Sequence, residues 1–134
     1  MGMPIKYFPA SDVKSLTDRL IGGLGFVHIP KERVICVRSV GSESRGVIAR
    51  VHSFPRVWQQ SLRMKCHYTI EVLSERFDNL PTAEKEKVII HELLHIPRTF
   101  GGGFRHHKGW VTRQRVDRLH AALVTERVNG TSNG

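Results

Sequence analysis

Val88-Ile89-Ile90-His91-Glu92-Leu93-Leu94-His95-Ile96 is the stretch on which the reading of this chain turns. Every residue in it except His91, Glu92 and His95 is Val, Ile or Leu, which marks a segment destined for a core. As a helix it sets His91 and His95 one turn apart on one face, where two imidazoles reach a single metal ion without backbone strain. Glu92 points beside that face, placed to act on a metal-bound water. Burying these three groups without partners would cost on the order of several kcal/mol, and a metal ion satisfies all of them. The chemistry follows: the ion polarises a carbonyl and lowers the pKa of its water, and the carboxylate takes the proton. The motif predicts a metal-dependent hydrolase, with zinc as the ion and Glu92 as general base.

A catalytic zinc commonly takes three protein ligands and leaves one position for water. The third must come from outside the helix. Pro97 halts the helix, and Gly101-Gly102-Gly103 then turns the chain into Arg105-His106-His107. At about 3.3 Å per residue that loop reaches back to His95 with ease, so His106 or His107 can ligate. Asp117 or Glu126, further on, is the carboxylate alternative. Tyr68, Arg98 and Arg105 are secondary candidates for stabilising an oxyanion. His28, His52 and His120 have no partner at ligand spacing and receive no role.

Around this centre the pattern is that of an α+β domain. Ser11 reads as a helix cap, followed by the apolar stripe Val13, Leu16, Leu20, Ile21 and Leu24, and Gly22, Gly23 and Gly25 stop that helix. Arg33 to Val40 reads as a strand, and Gly41 to Gly46 as a polar loop. Val47, Val51, Phe54, Trp58 and Leu62 recur at helical spacing with Pro55 inside the pattern. That predicts two short helical pieces meeting near Ser53–Pro55, with a strand over Val47–His52 as the alternative. His67 to Leu73 alternates as a half-buried or edge strand. Thr82 caps the helix that carries the motif and runs to about Ile96, with Glu84 and Glu86 in its first turn. A last helix, Trp110 to Val128, buries Val116, Leu119 and Leu123. The division expected is one domain over 1–128 and a disordered tail over 129–134.

The chain has 134 residues, 40% of them hydrophobic and 25% charged, the profile of an ordinary globular protein. No stretch approaches the length of a membrane span. The first twelve residues lack an apolar signal region, and Lys6 does not suit a myristoylation site at Gly2, so a cytoplasmic location is expected. Cys36 and Cys66 belong to no C-x-x-C pair and read as buried free thiols. Twenty-one Lys and Arg against twelve Asp and Glu give a net charge of +9, which attracts nucleic acid, anionic surfaces or acidic proteins. That balance motivates an alternative: a basic nucleic-acid-binding module whose zinc site is structural or vestigial. No base-reading or stacking motif accompanies the charge.

His91-Glu92-Leu93-Leu94-His95-Ile96-Pro97, then Phe100, Gly102-Gly103-Phe104-Arg105 and a histidine, resembles the zincin-like metallopeptidases of archaea and phages, and is similar to the core of SprT-type proteases. The resemblance covers roughly Val47 to Leu119 and includes His67 to Val72 and Ser74 to Phe77. It implies a zincin-like α+β fold: a small mixed sheet packed on the active-site helix, with further helices. The strand before that helix then lines the substrate cleft. It implies hydrolysis of peptide bonds in a protein or peptide substrate. The family's closing Arg-x-His falls on Arg105-His106-His107 and favours His107 as the third ligand, with His91 and His95.

Overall fold

The computed structural model describes residues 4–132, with the backbone alone from residue 129 onward. Four strands, β1 (Lys6–Pro9), β2 (Val34–Val40), β3 (Ala49–His52) and β4 (Tyr68–Leu73), form one sheet in the order β1-β2-β4-β3. β2 and β4 run parallel, while β1 and β3 flank them antiparallel. Among the described residues five α-helices accompany the sheet: α1 (Ser11–Gly23), α2 (Arg56–Leu62), α3 (Ser74–Phe77), α4 (Thr82–Leu94) and α5 (Arg113–Ser132). The expected α+β class and mixed sheet are what the chain builds.

Strand alternation divides the sheet into two faces. Val34, Cys36, Val51, Ile70 and Val72 share the inner face by register, and α1 lies against β2 there while α4 lies against β3. Leu20, Ile70, Val72, Ile89, Ile90 and Leu93 are sealed at that contact, each at most 1% exposed. Burial on this scale, at about 25 cal/mol per Å² of apolar surface, is what holds the helices to the sheet. α5 then packs on α4 through Val116 and Leu123.

Several local expectations need correcting. Val47 to His52 is not helical: Ala49–His52 pairs with β4 as an edge strand, so the strand alternative is right, and the helical piece starts only after Pro55. Ladder hydrogen bonds to β4 outweigh a weak helical pattern here. β4 is an inner strand and not an edge, with five of its six residues buried. β1 was not anticipated; four exposed residues ending in Pro9 give no apolar alternation, and proline confines such a strand to an edge. Ala10 and Pro81 take the cap positions assigned to Ser11 and Thr82, neither with a capping side-chain bond. α4 closes at Leu94 with His95 as its C-cap, and α5 begins at Arg113. α5 continues through Ser132, so the tail expected from Asn129 is helical over its first four residues; residues 133 and 134 lie outside those described. Cys36 and Cys66 are buried free thiols, as expected.

Candidate metal centre

α4 delivers the pair. His91 and His95 project from one side of its last turn, and their Nε2 atoms lie 3.3 Å apart. His107 arrives from the loop after α4, with its Nε2 3.2 Å from that of His91. These three residues form the one group among the described residues whose His, Cys, Asp or Glu donor atoms cluster closely enough to hold a metal ion. His106 lines the same cavity but is not in the cluster. Asp117 pairs with Lys87 at 3.4 Å, and Glu126 sits exposed far along α5. The structure therefore gathers His91, His95 and His107, and leaves the other candidates outside.

Protons settle what the cluster can do. His95 Nδ1–H donates to the Arg105 carbonyl at 2.7 Å, which fixes its tautomer and leaves its Nε2 a bare lone pair. Burial, with His95 and His107 beside it, pushes His91 down to about 4. Burial lowers His95 too, against the opposing pull of the Arg105 carbonyl. Neutral imidazoles with convergent lone pairs repel one another unless a cation sits among them.

Glu92 adds a second indication. It is 5% exposed, and its Oε2 is buried with no hydrogen-bond partner among the described residues. Burial alone pushes its carboxyl up to about 8. An unsatisfied buried carboxylate oxygen is costly, on the order of a few kcal/mol, and needs a reason. Both observations suit a dication: three nitrogen donors, and an acid whose ionised form a nearby positive charge would favour.

The loop that carries His107 is tied down at three points. Arg105 N–H donates to the His95 carbonyl at 2.7 Å, so Arg105 and His95 bond to each other twice. Tyr68, fully buried, donates its hydroxyl proton to the Gly103 carbonyl (2.8 Å) and accepts from Gly102 N–H (2.9 Å). Gly102 has φ +109°, and a Cβ there would lie 2.9 Å from the Phe54 carbonyl oxygen, so only glycine fits. At the far end two guanidiniums stack on Trp110, Arg105 at 3.9 Å and Arg115 at 3.7 Å from its ring centroid.

Tyr68 and Arg105, read from the sequence as oxyanion candidates, are thus loop fasteners: the hydroxyl is spent on glycine backbone and the guanidinium on Trp110. Arg98 is exposed and does not line the cavity. Sequence reasoning also missed two carboxylate networks. Glu71 accepts from Ser39 Oγ (2.6 Å) and bonds His52 Nε2 (2.7 Å). Glu86 bonds His120 Nε2 (3.0 Å) and Arg127 Nη2 (2.6 Å). Their partners are 19 to 41 residues away in sequence, so no spacing rule could have found them.

The histidines and Glu92 open onto a cavity of about 930 Å³ walled by β3, α4 and the His107 loop. The fold and its site define a protein with a three-histidine cluster able to hold a metal ion beside a buried acid. A family model described as putative phage metallopeptidase matches residues 5–125, and the chain belongs to that family. Comparison with curated proteins and with solved structures returned no match. No helix among the described residues is long and apolar enough to cross a membrane.

Proposed function

We propose that this protein is a zinc-dependent metallopeptidase of zincin type acting in the cytoplasm, with zinc held by His91, His95 and His107. The observation that carries the reading is the meeting of three imidazole Nε2 atoms beside an unbonded, buried carboxylate oxygen in one cavity. When bound, zinc would supply Lewis-acid polarisation of the scissile carbonyl and a water of lowered pKa. Glu92 Oε2 takes the proton of the attacking water as its oxygen adds to the carbonyl carbon. The same carboxyl returns a proton to the amide nitrogen as the C–N bond breaks. His95 is kept in its ligating tautomer by the Arg105 carbonyl.

The substrate backbone has a place to lie. β3 pairs with β4 on one side only, and its other edge borders the cavity beside α4. An extended peptide added to that edge gains main-chain hydrogen bonds while its side chains alternate between cavity and solvent. Elemental analysis of gently purified protein should find about one zinc per chain. Glu92→Gln should keep that metal and lose cleavage of an unfolded protein substrate. Cleavage at the wild-type rate in that variant would remove Glu92 from the reaction, and less than a tenth of an equivalent of metal would end the proposal.

A further inference from the structure

The sheet face turned away from His91, His95 and His107 carries a second cavity, of about 490 Å³, lined by Tyr7, Ile35, His52, Trp58, Met64 and His67 among others. Register places it on the outer face. His52 pairs with Thr69 and Ile35 with Thr69, while the inner positions Val51 and Cys36 both pair with Ile70. Its apolar groups are open to water: Tyr7 is 60%, Ile35 47%, Trp58 55% and Met64 48% exposed. α2 beside it buries no residue, although it carries Val57, Trp58 and Leu62. Isolated exposed apolar residues need no explanation, but a contiguous set lining a groove marks a binding surface.

Charge says what kind of partner fits. From Ser44 through Ile70 the chain contains Arg45, Arg50, Arg56, Arg63 and Lys65 and not one Asp or Glu. None of these five cations is in an ion pair with a carboxylate among the described residues. The one acid in the groove, Glu71, is buried and already bonded to Ser39 and His52. An equally basic, acid-free run, Leu93 to Val116, surrounds the metal centre. There the tryptophan already carries two guanidiniums, those of Arg105 and Arg115. Trp58 instead has no cation over its ring among the described residues, meets Phe54 at a T-shaped angle with centroids 6.1 Å apart, and stays 55% exposed. Unpaired cations interleaved with an open aromatic face are what a flexible polyanion of flat bases requires; an acidic peptide uses the cations but not the rings.

We propose that this groove binds single-stranded nucleic acid, with bases stacking on Trp58 and Tyr7 and phosphates meeting Arg56, Arg63 and Lys65. β3 is the wall common to both cavities: Val51 faces the metal cleft and His52 the groove. A bound strand therefore runs one β-strand away from the proposed peptidase cleft, without entering it. The binding is independent of the peptidase reading, and Glu92→Gln leaves it intact.

The test uses the full chain and a fluorescein-labelled 15-nucleotide oligothymidylate, followed by anisotropy across a salt series. Wild type binds it, with affinity falling steeply as salt rises. Trp58→Ala, at an exposed position that a thermal melt will show to be folded, weakens binding about tenfold. Arg56→Glu with Lys65→Glu weakens it further and lowers the log–log salt slope by about 1.4. Arg118→Glu, on α5, changes it less than twofold. Equal loss in the α5 variant and none in Trp58→Ala would overturn the site. So would displacement of the strand by polyglutamate of equal charge, which would point to an acidic protein. Sedimentation showing a dimer that Trp58→Ala dissolves would assign the face to a second copy of the chain, and would likewise overturn the proposal.

Discussion

Glu86 and Glu92 lie under two turns apart on α4, and both are buried, at 2% and 5% exposure. Their surroundings separate them. Burial alone would raise Glu86, but the Arg127 guanidinium and the His120 imidazole outweigh it and hold its carboxyl below the usual range. Among the described residues nothing compensates Glu92, whose Oε2 has no partner there and whose carboxyl is pushed up to about 8. One residue type on one helix is thus a clamp in one place and an unbonded acid in the other. Glu86 faces α5 and fastens the two helices, whereas Glu92 lines the cavity, where the proposed reaction would use its unbonded oxygen.

The comparison breaks most visibly in the rate. Glu92→Gln should lower kcat by roughly 10²–10⁴-fold. In the metal-free protein it should raise stability at neutral pH, by about 1–3 kcal/mol, because a group that resists ionising in the folded state is removed. Glu86→Gln should do the reverse, leaving kcat within a few-fold and lowering stability. Urea unfolding should show a loss of about 2 kcal/mol, at the low end for a buried pair because Arg127 is 45% exposed. If both variants lose activity alike with stability unchanged, the two glutamates do not have separate roles.

Gly102→Ala sharpens the Glu92 side alone. The positive φ and the Phe54 carbonyl leave no room for a methyl group, so the loop must shift and His107 with it. Zinc affinity, measured by competition with a chelator, should fall about tenfold or more, since a displaced ligand loses its bond. Tyr68→Phe is a milder version: it removes two hydrogen bonds to the same loop and should cost about 1–2 kcal/mol in stability, with zinc affinity reduced less than in Gly102→Ala. Titrations that find neither variant altered would mean that the glycine loop does not position His107.

The smallest effect is in acid. A carboxyl whose folded pKa lies below its unfolded value of 4.5 adds stability above that value and loses it as pH falls through the folded one. The gap in urea midpoint between wild type and Glu86→Gln should therefore narrow between pH 6 and pH 3. A constant gap over that range would show that the stabilisation does not come from ionised Glu86.

How much of this was legible depended on the range of the pattern. His91, Glu92 and His95 were readable because a helix converts a four-residue spacing into a shared face, and α1, β2 and β4 because their apolar periods are local. In the sequence the choice of His107 needed the family's Arg-x-His, because loop length alone allowed His106. β3 was misread because Val47, Val51, Phe54, Trp58 and Leu62 happen to keep a helical period across two elements, and only pairing with β4 decides between them. Tyr68 looked like a catalytic side chain because its partners, Gly102 and Gly103, are more than thirty residues away. Glu86 read as a favourable charge near a helix start, with no sign that His120 and Arg127 would close on it.

The paired bonds between His95 and Arg105 have a practical consequence. Together with Tyr68 on the glycine turn, they brace the clustered histidine rings through protein contacts set by the core. Such a chain should behave unlike a zinc finger, whose folding is driven by its ion. Stripping with a chelator should yield a still folded protein that rebinds metal on simple resupply, so that scarcity of the ion would silence the proposed peptidase without condemning it to degradation.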